Sequence, residues 1–203
     1  NNDPNNHPLP GNFFGTIYKG GIIVPVIQTL LLTVLALSIE RYFALRSAFG
    51  KGSLVKFVTN IKVALAAGNL QKAQEICDNQ KGSVANVVTA TLKKYDEMEK
   101  DATLSKDQKL LAIQKELEEA TALELPMMEQ NLPIIGTITT LGTLMGLLGT
   151  VIGMIRSFAA LAAGGSADSM ALSQGISEAL INTAFGILTG ALAVISYNYY
   201  TNK

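Results

Sequence analysis

Three runs of this 203-residue sequence are too long and too apolar to lie on the surface of a soluble protein: Gly20 to Ile39, Gln130 to Ile155 and Ile176 to Tyr200. The first two carry no charged side chain, and the third carries only Glu178, near its start. Crossing the hydrocarbon core of a bilayer takes about 20 residues of helix, and each run meets that length. Burying three such helices inside a soluble fold needs a large surrounding body, and too little chain remains to build one. The expected fold class is an all-α integral membrane protein with three transmembrane helices and a helical insertion.

The charges agree with this division. Of the 32 charged residues, 26 fall within residues 40–129, divided equally between 13 basic and 13 acidic, whereas residues 130–202 hold only Arg156, Asp168 and Glu178. Soluble domains carry about 25% charge, fairly evenly spread; here the figure is 16% and concentrated in one block. That pattern excludes a soluble enzyme with one evenly clothed core. Neither the chain nor its charged block has a basic excess, so no nucleic-acid partner is expected. Cys77 is the single cysteine and His7 the single histidine, which excludes a disulfide framework, a cysteine metal cluster, a His-Glu-x-x-His zinc site and a Ser-His-Asp triad. We expect no metal, no cofactor and no enzyme activity.

Orientation follows from the basic residues flanking the spans. Arg41, Arg46, Lys51 and Lys56 follow the first span, only Lys19 precedes it, and the link between the second and third has no basic residue. The expected organisation is a periplasmic tail over residues 1–19, spans at 20–39, 130–160 and 176–200, a cytoplasmic helical domain at 40–129, a periplasmic link at 161–175 and a cytoplasmic end at 201–203. The first span is too deep and too long for a cleavable signal peptide and reads as a permanent anchor; extensions beyond both ends are also expected. In the cytoplasmic block, helical periodicity runs over Leu54–Ala67, Leu70–Cys77 and Val84–Met98. Gly68-Asn69 supplies a stop and a new N-cap. Ser105 opens a longer helix, which Pro126 and Pro133 should bend or break.

The second and third spans are not uniformly greasy. Gly136, Thr139, Thr143, Gly146, Thr150, Gly153 and Ser157 recur at steps of three and four, which gathers them on one helix face. Glu178, Asn182, Gly186, Thr189, Gly190, Ala193 and Tyr197 do the same on the third, with Thr183 beside them. Small residues let membrane helices approach closely, so Gly146, Gly149, Gly153, Gly186 and Gly190 read as packing positions. Glu178 has two open readings. It is either a first-turn carboxylate favoured by the dipole of its own helix, or, with Thr150, Thr183 and Asn182, part of a polar path for a cation through the apolar wall. A carboxylate inside a span costs roughly 2.5 kcal/mol or more unless it faces a partner or water. Arg156 reads as a basic residue reaching for the outer interface.

At these residues the sequence resembles a known family. Leu148-Gly149-Thr150-Val151-Ile152-Gly153-Met154-Ile155-Arg156-Ser157-Phe158 is similar to the second-span signature of the MotA/TolQ/ExbB proton-channel family, and Gly175-Ile176-Ser177-Glu178-Ala179-Leu180-Ile181-Asn182-Thr183-Ala184-Phe185-Gly186 to its third-span signature. Length and insertion look most like the ExbB branch, with TolQ the near neighbour; MotA has an additional span. The resemblance implies a homopentameric ring in the bacterial inner membrane, with the N-terminus periplasmic and the C-terminus cytoplasmic. Its pore would hold the helices of a single-span ExbD-like partner, whose membrane aspartate carries the proton while Thr150, Thr183 and Glu178 line the path. Protons would be the coupling ion, and a TonB-like protein would take the output to outer-membrane transporters. The alternatives are a TolQ-like role in the Tol-Pal envelope system and a non-conducting membrane scaffold.

Overall fold

The computed structural model describes residue 15, residues 20–162 and residues 168–202, with backbone alone for 168–171. His7 and the rest of the expected tail apart from Gly15, together with Gly164 and Gly165 of the link, lie outside the described residues. Among the described residues there are helices and no strand. The elements are α1 (Ile23–Ala48), α2 (Leu54–Ala66), α3 (Leu70–Gln80), α4 (Ser83–Lys100), α5 (Lys106–Glu129), α6 (Leu132–Ala162) and α7 (Asp168–Thr201). They form two compact units, residues 1–39 with 131–203 and residues 40–130, divided where the charge density changes.

The first unit contains the long apolar helices. Among the described residues, three helical segments are long and apolar enough to cross a membrane, so the chain is a multi-pass membrane protein. At 1.5 Å per residue, the 31 residues of α6 and 34 of α7 extend about 46 and 51 Å, well beyond a hydrocarbon core of about 30 Å. The helix α7 begins at Asp168, eight residues before the apolar run that opens at Ile176. The apolar run measures the bilayer; the helix continues past it. Pro25 sits in the first turn of α1, where a backbone N–H lacks a helical acceptor anyway. One face of α1 buries Ile27 and Val34, and Val34 shares a core with Leu132, Ile135 and Ile138 of α6 and Ala193 of α7. Tyr200 closes the other end of the unit by donating to Ser38 O at 2.6 Å.

The second unit is a polar helical bundle around a small core of Phe57, Ile61, Ala64, Ala73, Cys77, Ala85 and Leu92. Two of its helices, α3 and α5, start at side-chain caps. Asn69 Oδ1 accepts from Lys72 N at 2.9 Å. Ser105 and Gln108 form a reciprocal capping box, with Ser105 N donating to Gln108 Oε1 at 2.9 Å and Gln108 N to Ser105 Oγ at 3.3 Å, which satisfies two otherwise orphan donors. Burial pushes the Cys77 thiol above its ordinary pKa. Arg41 is only 2% exposed. Its Nε donates to Glu40 Oε2 at 2.7 Å, and its Nη1 reaches Met127 O at 3.2 Å and Met128 O at 3.4 Å, so the guanidinium caps the C-terminal carbonyls of α5. Pro126 does not break α5, which continues to Glu129. The interruption comes instead at Gln130, whose ψ of 137° is extended, and at Asn131, whose φ is +67°. Pro133 follows in the first turn of α6.

Candidate functional site

The helices α6 and α7 meet along a line of glycines. On α6 the buried stripe is Ile135, Ile138, Gly142, Gly146, Gly149, Gly153 and Ser157. A Cβ added at Gly146 would lie 2.9 Å from Gly186 Cα; one added at Gly186 would lie 2.6 Å from Gly146 Cα. Farther along, a Cβ on Gly149 would meet Asn182 Cγ at 2.5 Å, one on Gly153 would meet Gly175 O at 2.7 Å, and one on Gly190 would meet Thr143 Oγ1 at 2.5 Å. All five expected packing glycines therefore lie in the contact. Gly142 and Gly175, which sequence reasoning missed, belong to it as well. The signal for Gly142 was present in the spacing 142, 146, 149, 153. Combining glycines and threonines into one stripe obscured it, because the threonines flank the contact rather than fill it: Thr143 is exposed, and Thr139 and Thr150 are half-buried.

This close approach brings two hydroxyls together. Thr150 Oγ1 and Thr183 Oγ1 are in hydrogen-bond contact across the helix pair, and either can donate. Each also has a carbonyl acceptor on its own helix, Gly146 O at 3.1 Å for Thr150 and Ala179 O at 3.2 Å for Thr183. Two hydroxyl protons thus share more acceptor positions than they can fill at once, and rotating one O–H reverses the direction of the bridge. Each hydroxyl is thereby satisfied inside the helix pair, by its neighbour or by a carbonyl one turn back on its own helix.

Glu178 is not a first-turn residue. It lies ten positions into α7, almost three turns from the start, which removes the dipole of its own helix as its reason for being there. Its Oε1 accepts from Arg156 Nη1 at 2.8 Å, and the carboxylate side chain is 12% exposed against 54% for the arginine. Arg156 is therefore an ion-pair partner, not simply a basic residue at the interface. The carboxylate also abuts the turn before α1: a Cβ on Gly21 would sit 2.7 Å from Glu178 Cδ. Asn182 lies inside the protomer, fully buried against Gly149, with Nδ2 donating to Gly20 O at 3.0 Å. The structure joins Thr150 to Thr183 and Glu178 to Arg156. Among the described residues no hydrogen bond links these two groups, and no three His, Cys, Asp or Glu side chains are grouped to hold a metal ion.

A long helical pair with a bare glycine contact, a hydroxyl bridge and a carboxylate held within it defines a membrane protein with polar groups at its span contacts. The family model described as the MotA/TolQ/ExbB proton channel family matches residues 79–203. The chain belongs to this family. It is similar to the Tol-Pal system protein TolQ of Pseudomonas aeruginosa, with 27% identity over 88% of this chain and 79% of that protein. It also resembles the ExbB-like 1 protein of Synechocystis, with 32% identity over 88% of this chain and 66% of that protein. A third relative is the biopolymer transport protein ExbB homolog of Methanothermobacter thermautotrophicus, with 24% identity over 95% of this chain. The chain spans 65% of that homolog's length.

Proposed function

We propose that the chain is an ExbB-type subunit of a motor driven by the proton-motive force. Five copies form a ring in the inner membrane, with N-termini in the periplasm and C-termini in the cytoplasm, around the single-span helices of an ExbD-like partner. The partner's membrane aspartate carries the proton, and Thr150, Thr183 and Glu178 supply the ring side of the path. Protons are the coupling ion, and the output drives a TonB-like protein and thereby transport across the outer membrane. The observation that carries this reading is the Thr150–Thr183 hydroxyl bridge at a glycine contact, on the same helix pair as the ion-paired Glu178. A hydroxyl bridge also serves packing, but an ion-paired carboxylate beside it is more than packing asks for. The energy available is about 2.3 kcal/mol per charge per 100 mV.

The similarity to TolQ over most of the chain favours a second reading, a TolQ-like subunit of the Tol-Pal envelope system. The two share chemistry and differ in partner. Capture of a TonB-like protein with the purified complex supports the first, and capture of Tol-Pal components supports the second. The proton path itself is tested by Glu178→Gln, which keeps size and hydrogen bonding but removes ionisation. We expect motor-driven uptake to be lost at wild-type abundance with the assembly intact. Normal uptake by this variant takes Glu178 out of the path, and loss of neither uptake nor envelope function would favour a scaffold.

A further inference from the structure

We infer that the Gly20–Gly21 turn, latched to the third long helix by Asn182, is a cover over the Glu178 carboxylate that sets how readily water reaches it. Its functional meaning rests on the proton-path reading of Glu178; its geometry does not.

Asn182 has no packing reason to be an amide. It is 0% exposed and faces Gly149, a position that offers no side chain to bond. Among the described residues its Oδ1 has no hydrogen-bond donor, and an unsatisfied buried oxygen is destabilising. An alanine or leucine would avoid that cost. What the amide provides is the bond from Nδ2 to Gly20 O at 3.0 Å, linking positions 162 residues apart in the chain.

One helical turn earlier on α7 is Glu178. The residue after Gly20 is Gly21, whose φ of +73° favours glycine and whose missing Cβ leaves the room that the carboxylate occupies. Two consecutive glycines therefore make two different contacts, a carbonyl on Asn182 and a bare Cα against Glu178. Arg156 approaches the carboxylate from α6, and the Gly20–Gly21 turn covers it from the segment leading into α1. A single hydrogen bond between neutral groups holds that turn to Asn182. A shift of the start of α1 relative to α7 would break this bond and expose the carboxylate without disturbing the glycine contact between α6 and α7.

The test uses the full-length chain in its native assembly, treated with a water-soluble carbodiimide and glycine ethyl ester. Glu178 modification is followed in time by peptide mass mapping, with exposed Glu97 as the internal standard. Asn182→Leu keeps the branching and the heavy-atom count of the side chain and removes the donor. Gly21→Ala attacks the cover from its other side and decides the matter if the first variant does not assemble. Thr189→Val, which alters another buried polar side chain of α7, is the control for general loosening. Both cover variants should speed Glu178 modification about tenfold relative to Glu97, with elution volume unchanged, while Thr189→Val stays at the wild-type rate. A wild-type rate in the assembled cover variants, or the same acceleration in the control, overturns the latch. If modification accelerates yet Glu178→Gln still supports uptake, the cover stands and the proton path falls. If modification does not change while Glu178→Gln abolishes uptake, the reverse holds.

Discussion

In the membrane unit, Gly146 of α6 faces Gly186 of α7 with no side chain between them. In the polar unit, Phe57 and Ile61 of α2 share a core with Ala73 and Cys77 of α3. Both are helix contacts, yet they draw on different physics. In water, burying a large apolar side chain contributes roughly 1.5–3 kcal/mol, so the polar unit can rely on a few bulky residues and well-formed caps. Lipid tails are as apolar as leucine and give no such gain. The membrane pair must rely on close backbone approach, dispersion and hydrogen bonds across the contact. The same constraint that strips side chains from the α6–α7 contact brings Thr150 within bonding reach of Thr183.

The contrast makes graded predictions. The largest effect belongs to Gly186→Leu, because a Cβ alone at 186 would lie only 2.6 Å from Gly146 Cα. We expect a loss of about 3 kcal/mol, seen as a changed elution volume and an early thermal transition; an unchanged assembly would mean that the close approach does not hold α6 to α7. Next is Arg41→Ala, which removes the guanidinium from two terminal carbonyls of α5 and from Glu40. Glu40 is partly exposed and can be resolvated, so the expected cost is about 2 kcal/mol, read as faster proteolysis of the polar unit with the glycine contact intact. The smallest is Ser105→Ala, which deletes half of a capping box and should lower the stability of the polar unit by about 1 kcal/mol without affecting uptake.

The polar unit was largely readable from sequence because its signals are local. Asn69 and Ser105 open helices where their side chains can reach backbone donors one turn ahead. The membrane unit was readable only in outline. Apolar length identified its three long helices but not their ends, since Asp168 and the residues after it continue α7 beyond the apolar run. Pairing across the helices was harder still. Arg156 and Glu178 are 22 residues apart, and their meeting depends on a register set by glycines at 142, 146, 149 and 153 against α7. The same is true of Gly20 and Asn182, where nothing local in either segment names the other. Of the bend or break expected at Pro126, the break does not occur, and α5 runs on to Glu129, after which Gln130 turns extended and Asn131 takes a φ of +67°.

The central claim is that the glycine contact exists partly to place two hydroxyls against each other for proton transfer. Replacing both, Thr150→Val with Thr183→Val, preserves side-chain shape and removes every hydroxyl from the bridge. Proton flux is then measured in liposomes containing the purified chain with its single-span partner, under an imposed pH gradient and membrane potential. The account predicts an assembly of wild-type size with flux reduced at least tenfold; wild-type flux through the doubly substituted protein would contradict it.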